Sequence, residues 1–339
     1  MESALSYESL LSAWELSHPQ RLTRWRQGSN NDVFHVETPT GDFVLRVSHN
    51  ADSAGELRYE HAILAGLGAL SLPFAVPTPM PTQIGEPFAT VATAGSTALA
   101  TLTPLIPGDP PDTRNLEQAA AAGATLAELD LALAGLALPD PDLAITWRSS
   151  GDLTRCHPLV PDPVAAIAAL PLPGDACQRL LARYSWLGER TPHLYAGLPR
   201  QLLHEDADPS NFLMQGTRVT GILDFEFSAI EVRPMELTVA LTWWPGSRFG
   251  TGEEWPIVAA LARGYARHIS LSPPEIEAIP TFFEFRAYTS LIHRLGRYRA
   301  HLSPMESVIE RAHAALARAD WLAANGERLK QVLYEEATL

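Results

Sequence analysis

The sequence predicts an α+β protein in two lobes. A small antiparallel β lobe spans residues 1–103, a hinge lies at 104–108, and a larger, mainly helical lobe spans 109–339. Three observations predict this. Early in the chain, short alternating runs are separated by tight-turn residues, the pattern of a meander. The string Pro104-Leu105-Ile106-Pro107-Gly108-Asp109-Pro110-Pro111 then breaks every periodic pattern. Beyond it, apolar spacing takes the helical period from Leu116 and again from Ile257.

Taken in order, Leu5, Leu10, Leu11 and Trp14 fit a short amphipathic helix over 5–16. Strands are expected at 22–26, 33–37 and 43–47. The turn-forming strings Gly28-Ser29-Asn30-Asn31-Asp32 and Thr38-Pro39-Thr40-Gly41-Asp42 separate them. Ser53 and Glu56 fit a capping box that opens a helix to about residue 70. Five prolines make 72–87 a loop, and apolar strands at 88–92 and 97–103 complete the lobe. In the second lobe, 116–138 is a strong helix and 139–175 is proline-rich. Residues 176–187 are helical, 201–223 form short strands with tight turns, and helices run from 257 onward.

Composition narrows the function. The 339 residues are 46% hydrophobic, enough for a sizeable core, and the net charge is −14. Such an acidic balance argues against a nucleic-acid binder that works by neutralising phosphates, and against a polybasic membrane-surface protein. Lys330 is the only lysine; the other 24 basic residues are arginine. A Walker-type loop, which needs Gly-Lys-Ser/Thr after a strand, is therefore absent, and Lys330 is a poor Schiff-base candidate. Cys156 and Cys177 lack a Cys-x-x-Cys partner, so neither a disulfide framework nor a zinc ribbon is expected. The start has no secretory pattern, and no apolar run reaches about 18 residues. The expectation is a soluble, cytoplasmic protein.

Chemistry concentrates in Leu202-Leu203-His204-Glu205-Asp206-Ala207-Asp208-Pro209-Ser210-Asn211, followed by a hairpin and a second apolar strand ending in Asp224. The hairpin folds Asp224 back towards Asn211 and Asp206. Two carboxylates and an amide from one compact unit suit an oxygen-loving cation such as Mg²⁺. Asp206-x4-Asn211 has the spacing of a kinase catalytic loop, where the Asp orients and deprotonates the attacking hydroxyl. Rival motifs fail on spacing. His204-Glu205 begins like a zinc-protease motif, but position 208 is Asp, and no Gly-x-Ser-x-Gly is present.

These two strings resemble the aminoglycoside phosphotransferase superfamily, whose usual pattern is His-Gly-Asp-x-x-x-x-Asn and then Ile-Asp-Phe or Ile-Asp-Trp. That group includes choline kinases and homoserine-kinase-like proteins. The resemblance implies a protein-kinase-like two-lobed fold. It implies ATP and Mg²⁺ as cofactors and a small-molecule hydroxyl acceptor, with no nucleic-acid or membrane partner. Asp206 becomes the catalytic base, Asn211 and Asp224 the metal ligands, and His204 a buttress of the catalytic loop.

The first lobe, read independently, agrees. Phe43, Leu45 and Val47 share one face of their strand; Val44 and Arg46 share the other. Leu57, Glu60 and Leu64 fall on one helical stripe, so Glu60 points coreward and would pair with Arg46. In the resembling proteins an arginine in Val-Leu-Arg-Val often takes the place of the kinase lysine. Ser29 and Asn30 stand where the phosphate-covering loop belongs, and Thr103 and Leu105 in the segment that contacts adenine through its backbone.

Two residues depart from the pattern. Glu205 replaces a glycine, and Glu236 stands where a shorter Asp is common. The acceptor pocket is expected between the catalytic loop and the C-terminal helices, with Glu284, Arg286, His293, Arg294, Arg297 and Arg299 nearby; Trp243 and Trp244 read as core. An arginine-lined pocket would suit a carboxylate-bearing acceptor such as homoserine. Alternatives are an aminoglycoside or choline-type kinase, a catalytically silent kinase fold that binds nucleotide or a partner, and a metal-dependent hydrolase.

Overall fold

The computed structural model describes residues 10–16, 21–27, 31–48, 54–93, 96–137 and 151–338. Strands β1 (Arg21–Gln27), β2 (Asn31–Thr38) and β3 (Gly41–Ser48) form the expected meander. With β4 (Ala89–Thr93) and β5 (Ser96–Pro104) they build one antiparallel sheet in the order β1-β2-β3-β5-β4. The turn into β3 works because Gly41 takes φ +145°, open to glycine alone among common residues, while Thr38 Oγ1 donates to the Gly41 carbonyl at 2.7 Å.

Alternation along β3 decides what each face does. Leu45 and Val47 are wholly buried and pack with Val36, Ala100, Leu102 and Trp14. Burying each such side chain contributes roughly 1.5–3 kcal/mol. Val44 and Arg46 lie on the opposite face, across from Thr103 and Thr101 of β5. Helix α1 (Ala54–Gly68) follows and buries Leu57, Glu60 and Leu64 together. Ser53, the expected cap, lies outside the described residues. So does much of the expected 5–16 helix: Leu11–Ala13 form a single 3₁₀ turn, and Trp14 is extended, its indole N–H donating to the Met80 carbonyl at 3.0 Å.

The rest is built on α2 (Leu116–Ala134), α3 (Pro163–Ala168), α4 (Ala176–Gly197), α5 (Pro234–Trp243), α6 (Glu254–Tyr265), α7 (Pro273–Arg299) and α8 (Met305–Glu336). Helix α2 is capped by the Asn115 side chain and stops before Gly135, short of the expected 138. Helix α4 outruns the expected 187, passing through Pro192 to Gly197. Its buried stripe of Leu180, Leu187, Thr191 and Tyr195 outweighs the lost backbone bond. Helices α2 and α6 cross closely at glycines. A Cβ on Gly123 would lie 2.2 Å from the Leu261 carbonyl oxygen, and one on Gly264 would lie 2.0 Å from that of Ala120. Among the described residues no helix is long and apolar enough to cross a membrane.

Two small ribbons carry the polar cluster. β6 (Arg200–Leu203) pairs with β9 (Ala229–Val232), and β7 (Phe212–Gln215) pairs with β8 (Arg218–Ile222). The Pro-rich linker is fastened to the second ribbon. Asp109 and Met214 exchange backbone bonds at 3.0 and 2.8 Å, and Thr220 Oγ1 donates to the Pro107 carbonyl at 2.6 Å. Gly108, at φ +149°, permits the approach, because a Cβ there would lie 2.5 Å from Thr220 Oγ1.

Candidate active site

His204 sits at the end of β6 with no exposure. Its Nε2–H donates to the Leu223 carbonyl at 2.9 Å, and its Nδ1 accepts the Asp206 amide at 3.3 Å. The ring also meets Phe225 edge-on, with centroids 4.6 Å apart. His204 thus ties the loop bearing Asp206 to the strand end bearing Asp224. Its two nitrogens are engaged with backbone, so it positions the loop and is not placed to move a proton.

Asn211 completes the tie. Its amide Nδ2 donates to the Asp206 carbonyl at 2.9 Å and to Asp206 Oδ2 at 2.8 Å. This orients the Asp206 carboxylate and turns the amide oxygen of Asn211 the other way. The Asn211 carbonyl accepts the Leu223 amide at 2.8 Å, one residue before Asp224. Asp224 takes φ +63°, an uncommon left-handed conformation that ends the strand abruptly and starts the turn Phe225–Phe227.

Arg46 reaches the same point from β3. Its Nη1 lies 3.3 Å from Glu60 Oε1 and 3.9 Å from Asp224 Oδ1, and its Nη2 donates to Glu226 Oε2 at 2.7 Å. Burial alone would lower the pKa of this guanidinium, but Glu60, Asp224 and Glu226 together hold it above its ordinary value. Burial pushes the Glu60 carboxyl up to about 7 against the pull of Arg46. Sequence reasoning placed Arg46, Glu60 and Asp224 but missed Glu226.

A cleft of about 510 Å³ opens between the sheet and the β7–β8 ribbon with the turn that follows it. Val33, Val44 and Leu213 give it apolar walls, and Arg46, Asp224 and Glu226 a charged end. Thr103 and Leu105 line it; the Leu105 amide is already donated to Asp42, so a base would meet its carbonyl or side chain. Ser29 and Asn30 lie outside the described residues. One apolar end and one charged end fit a nucleotide. Among the described residues no three His, Cys, Asp or Glu side chains converge as a metal cluster. A cation here would therefore rest on Asn211 and Asp224 with phosphate and water oxygens completing its shell, which is how Mg²⁺ is commonly held.

A second cavity of about 400 Å³ lies on the Asp206 side. It is walled by Glu205, Glu231, Trp243, Arg286, His293, Arg294, Arg311 and Arg318, among others. Of the bases expected there, Arg286, His293 and Arg294 are present. Arg297 donates to Ser303 Oγ instead, Arg299 to the Leu159 carbonyl, and Glu284 pairs with Arg183. Trp244 is core, as expected, whereas Trp243 lines the cavity. Arg311 and Arg318 were not anticipated.

Glu205 holds φ +67° where the resembling sequences carry glycine. Its amide donates to Glu236 Oε2 at 3.0 Å, and Arg286 reaches its Oε2 at 3.3 Å and its carbonyl at 3.2 Å. Burial and then the Glu205 charge push Glu236 up to about 8.

Comparison with known proteins gives the family and the fold. The family model of the phosphotransferase enzyme family matches residues 21–270. A homoserine kinase of Methylocella silvestris is 26% identical over 290 residues, covering 85% of this chain and 84% of that one. One from Rhodopseudomonas palustris (strain HaA2) is 27% identical over 276 residues, covering 79% and 77%. Among solved structures, a microcompartment-associated aminopropanol kinase superimposes with a TM-score of 0.72 at 19% identity, covering 95% and 98%. The amicoumacin kinase hAmiN, in complex with AMP-PNP, does so with a TM-score of 0.68 at 14% identity, covering 91% of each chain. These two likenesses show the fold.

Proposed function

The chain belongs to the phosphotransferase enzyme family, and on that premise we propose that it transfers the γ-phosphoryl group of ATP, with Mg²⁺, to a hydroxyl of a small molecule held beside Asp206. The observation that carries this is the bond from Asn211 to Asp206: one amide orients the base and turns its oxygen away from it. Bound MgATP supplies the phosphoryl group and neutralises its charge. The chain supplies positioning. Asn211 and Asp224 hold the cation, and Arg46, kept charged by its three carboxylates, forks onto phosphate oxygens. Asp206 accepts the proton of the acceptor hydroxyl, and the His204 tie fixes its distance from the metal end.

A hydroxy amino acid such as homoserine is the leading acceptor. The relatives named homoserine kinases support it, and so does the arginine wall of the second cavity. The test is ATP consumption with hydroxy amino acids, amino alcohols and aminoglycosides in turn. The proposal fails if no acceptor raises turnover above that of Asp206→Ala.

A further inference from the structure

The cavity beside Asp206 holds more positive charge than its acids answer. Arg286 is met by Glu205. Glu231 accepts the Val232 amide at 2.7 Å, and burial followed by the Glu205 charge pushes it well above the usual carboxylate range. Three guanidiniums remain. Arg294 of α7 donates only to the neutral Ser303 hydroxyl, at 3.2 Å. Arg311 of α8 stands over the Trp243 ring at 5.3 Å. Arg318, two turns further along α8, lies between two aromatic rings, 3.7 Å from the Phe249 centroid and 4.7 Å from that of Phe283.

Arg318 is the anomaly. Its Nη1 is shut off from solvent and has no hydrogen-bond partner. Among the described residues, no carboxylate lies within ion-pair distance of Arg294, Arg311 or Arg318. A buried charged donor without an acceptor is costly, and native folds seldom leave one in place without use. Burial lowers Arg318 to about 10, which still leaves it charged at neutral pH. Burial and the neighbouring Arg294 likewise lower Arg311. All three line the one cavity, where a bound anion would meet charge that no carboxylate among the described residues meets.

We propose that Arg318, with Arg311 and Arg294, forms the anion-binding end of the acceptor pocket, so that the acceptor's carboxylate is obligatory and its amine dispensable. This rests on the kinase reading of the same site and goes further, because it ranks the two charged ends of a zwitterionic acceptor. The cavity's acids are already engaged, Glu205 by Arg286 and Glu231 by backbone, so no acid besides the base Asp206 stands ready for an ammonium. A cavity lined by three guanidiniums that no carboxylate among the described residues meets is suited to a carboxylate.

Calorimetric titration of the full chain with L-homoserine, 4-hydroxybutyrate and 3-aminopropan-1-ol decides it. The second probe removes the amine and the third the carboxylate. Homoserine and 4-hydroxybutyrate should bind within about tenfold of each other, and 3-aminopropan-1-ol at least about tenfold more weakly, the worth of a charge-assisted hydrogen bond. Arg318→Met should weaken carboxylate binding about tenfold to a hundredfold, with Arg318→Lys in between. Nucleotide-induced thermal shifts report whether these variants stay folded, and Arg311→Gln gives a second variant. The proposal is overturned if 3-aminopropan-1-ol binds as tightly as 4-hydroxybutyrate, if Arg318→Met leaves carboxylate binding unchanged, or if no probe binds the parent. Carboxylate binding lost in Arg318→Met, but with no phosphorylation of any acceptor, would uphold the anion site and sink the kinase reading alone.

Discussion

Replacing Arg46 by alanine tests the nucleotide end of the site most directly. One guanidinium there answers Glu226 at 2.7 Å, Glu60 at 3.3 Å and Asp224 at 3.9 Å. The outer two carboxylates keep 36% and 40% of their side-chain exposure, so solvent holds each of those contacts to roughly 0–1 kcal/mol. Glu60 is different, at 7% exposure. Stripping a buried pair of one partner costs roughly 3–5 kcal/mol. Glu60 already stands near 7 and can take up a proton, which brings the stability loss towards the lower figure. Catalysis loses more. A missing donor to transition-state charge costs about 3 kcal/mol, or about a hundredfold in kcat/KM for ATP. Arg46→Lys keeps the charge, but a single nitrogen cannot serve Glu60 and Glu226 together, so we expect about a tenfold loss. Steady-state kinetics against ATP, alongside thermal melts, measure both effects. A folded Arg46→Ala enzyme with kcat/KM for ATP within about twofold of the parent would refute the reasoning.

Other expectations are as sharp. Asp206→Asn should lower kcat by about 10²–10⁴-fold while leaving nucleotide-induced thermal stabilisation nearly intact; an equal loss of both would remove Asp206 from the base role. Glu236 has a folded pKa of about 8 against an unfolded 4.5, so the stability it contributes is full below 4.5 and is lost as pH rises through 8. Glu236→Gln, which can still accept the Glu205 amide, should flatten that decline, worth up to about 1.4 kcal/mol per pH unit in denaturant melts. Gly264→Ala would put a Cβ 2.0 Å from the Ala120 carbonyl oxygen and should cost roughly 1–3 kcal/mol or more in the same assay. Lys330→Ala removes only partly exposed pairs with Glu277 and Glu327, so stability should change by less than about 1 kcal/mol and kcat should not change.

What could be read from the sequence follows the reach of each physical rule. Strand alternation put Arg46 opposite the core face, and helical spacing put Glu60 beneath it; both rules act over a few residues, and the two side chains meet at 3.3 Å. The same local rules set Asp206 and Asn211 together. Glu226 escaped because its direction depends on the left-handed turn at Asp224, a backbone state that no spacing reveals. Arg311 and Arg318 did carry a signal, since a spacing of seven is two helical turns and sets them on one face. It was masked by the many charges of α8, and which face meets the cavity is fixed by packing against α7. Trp243 and Trp244 show the limit from the other side. Neighbours on a helix point about 100° apart, so one fills the core while the other lines the cavity.

The two departures from the family pattern turn out to be a single feature. A glutamate at φ +67° costs roughly 1–2 kcal/mol relative to glycine, and it adds a carboxylate next to the proposed base. Two contacts offset this. The Glu205 amide is held by Glu236, the other departure, through its Oε2. Arg286 grips both the side chain and the carbonyl of Glu205 from α7. The added negative charge is thereby paired with α7, and the loop's charge on the acceptor remains that of Asp206. The same arrangement consumes Arg286, which leaves anion recognition to Arg294, Arg311 and Arg318. A glycine at position 205 would keep the carbonyl contact to Arg286 Nη2 and release only its Nη1, so this one residue links the strain in the catalytic loop to the charge offered to the acceptor.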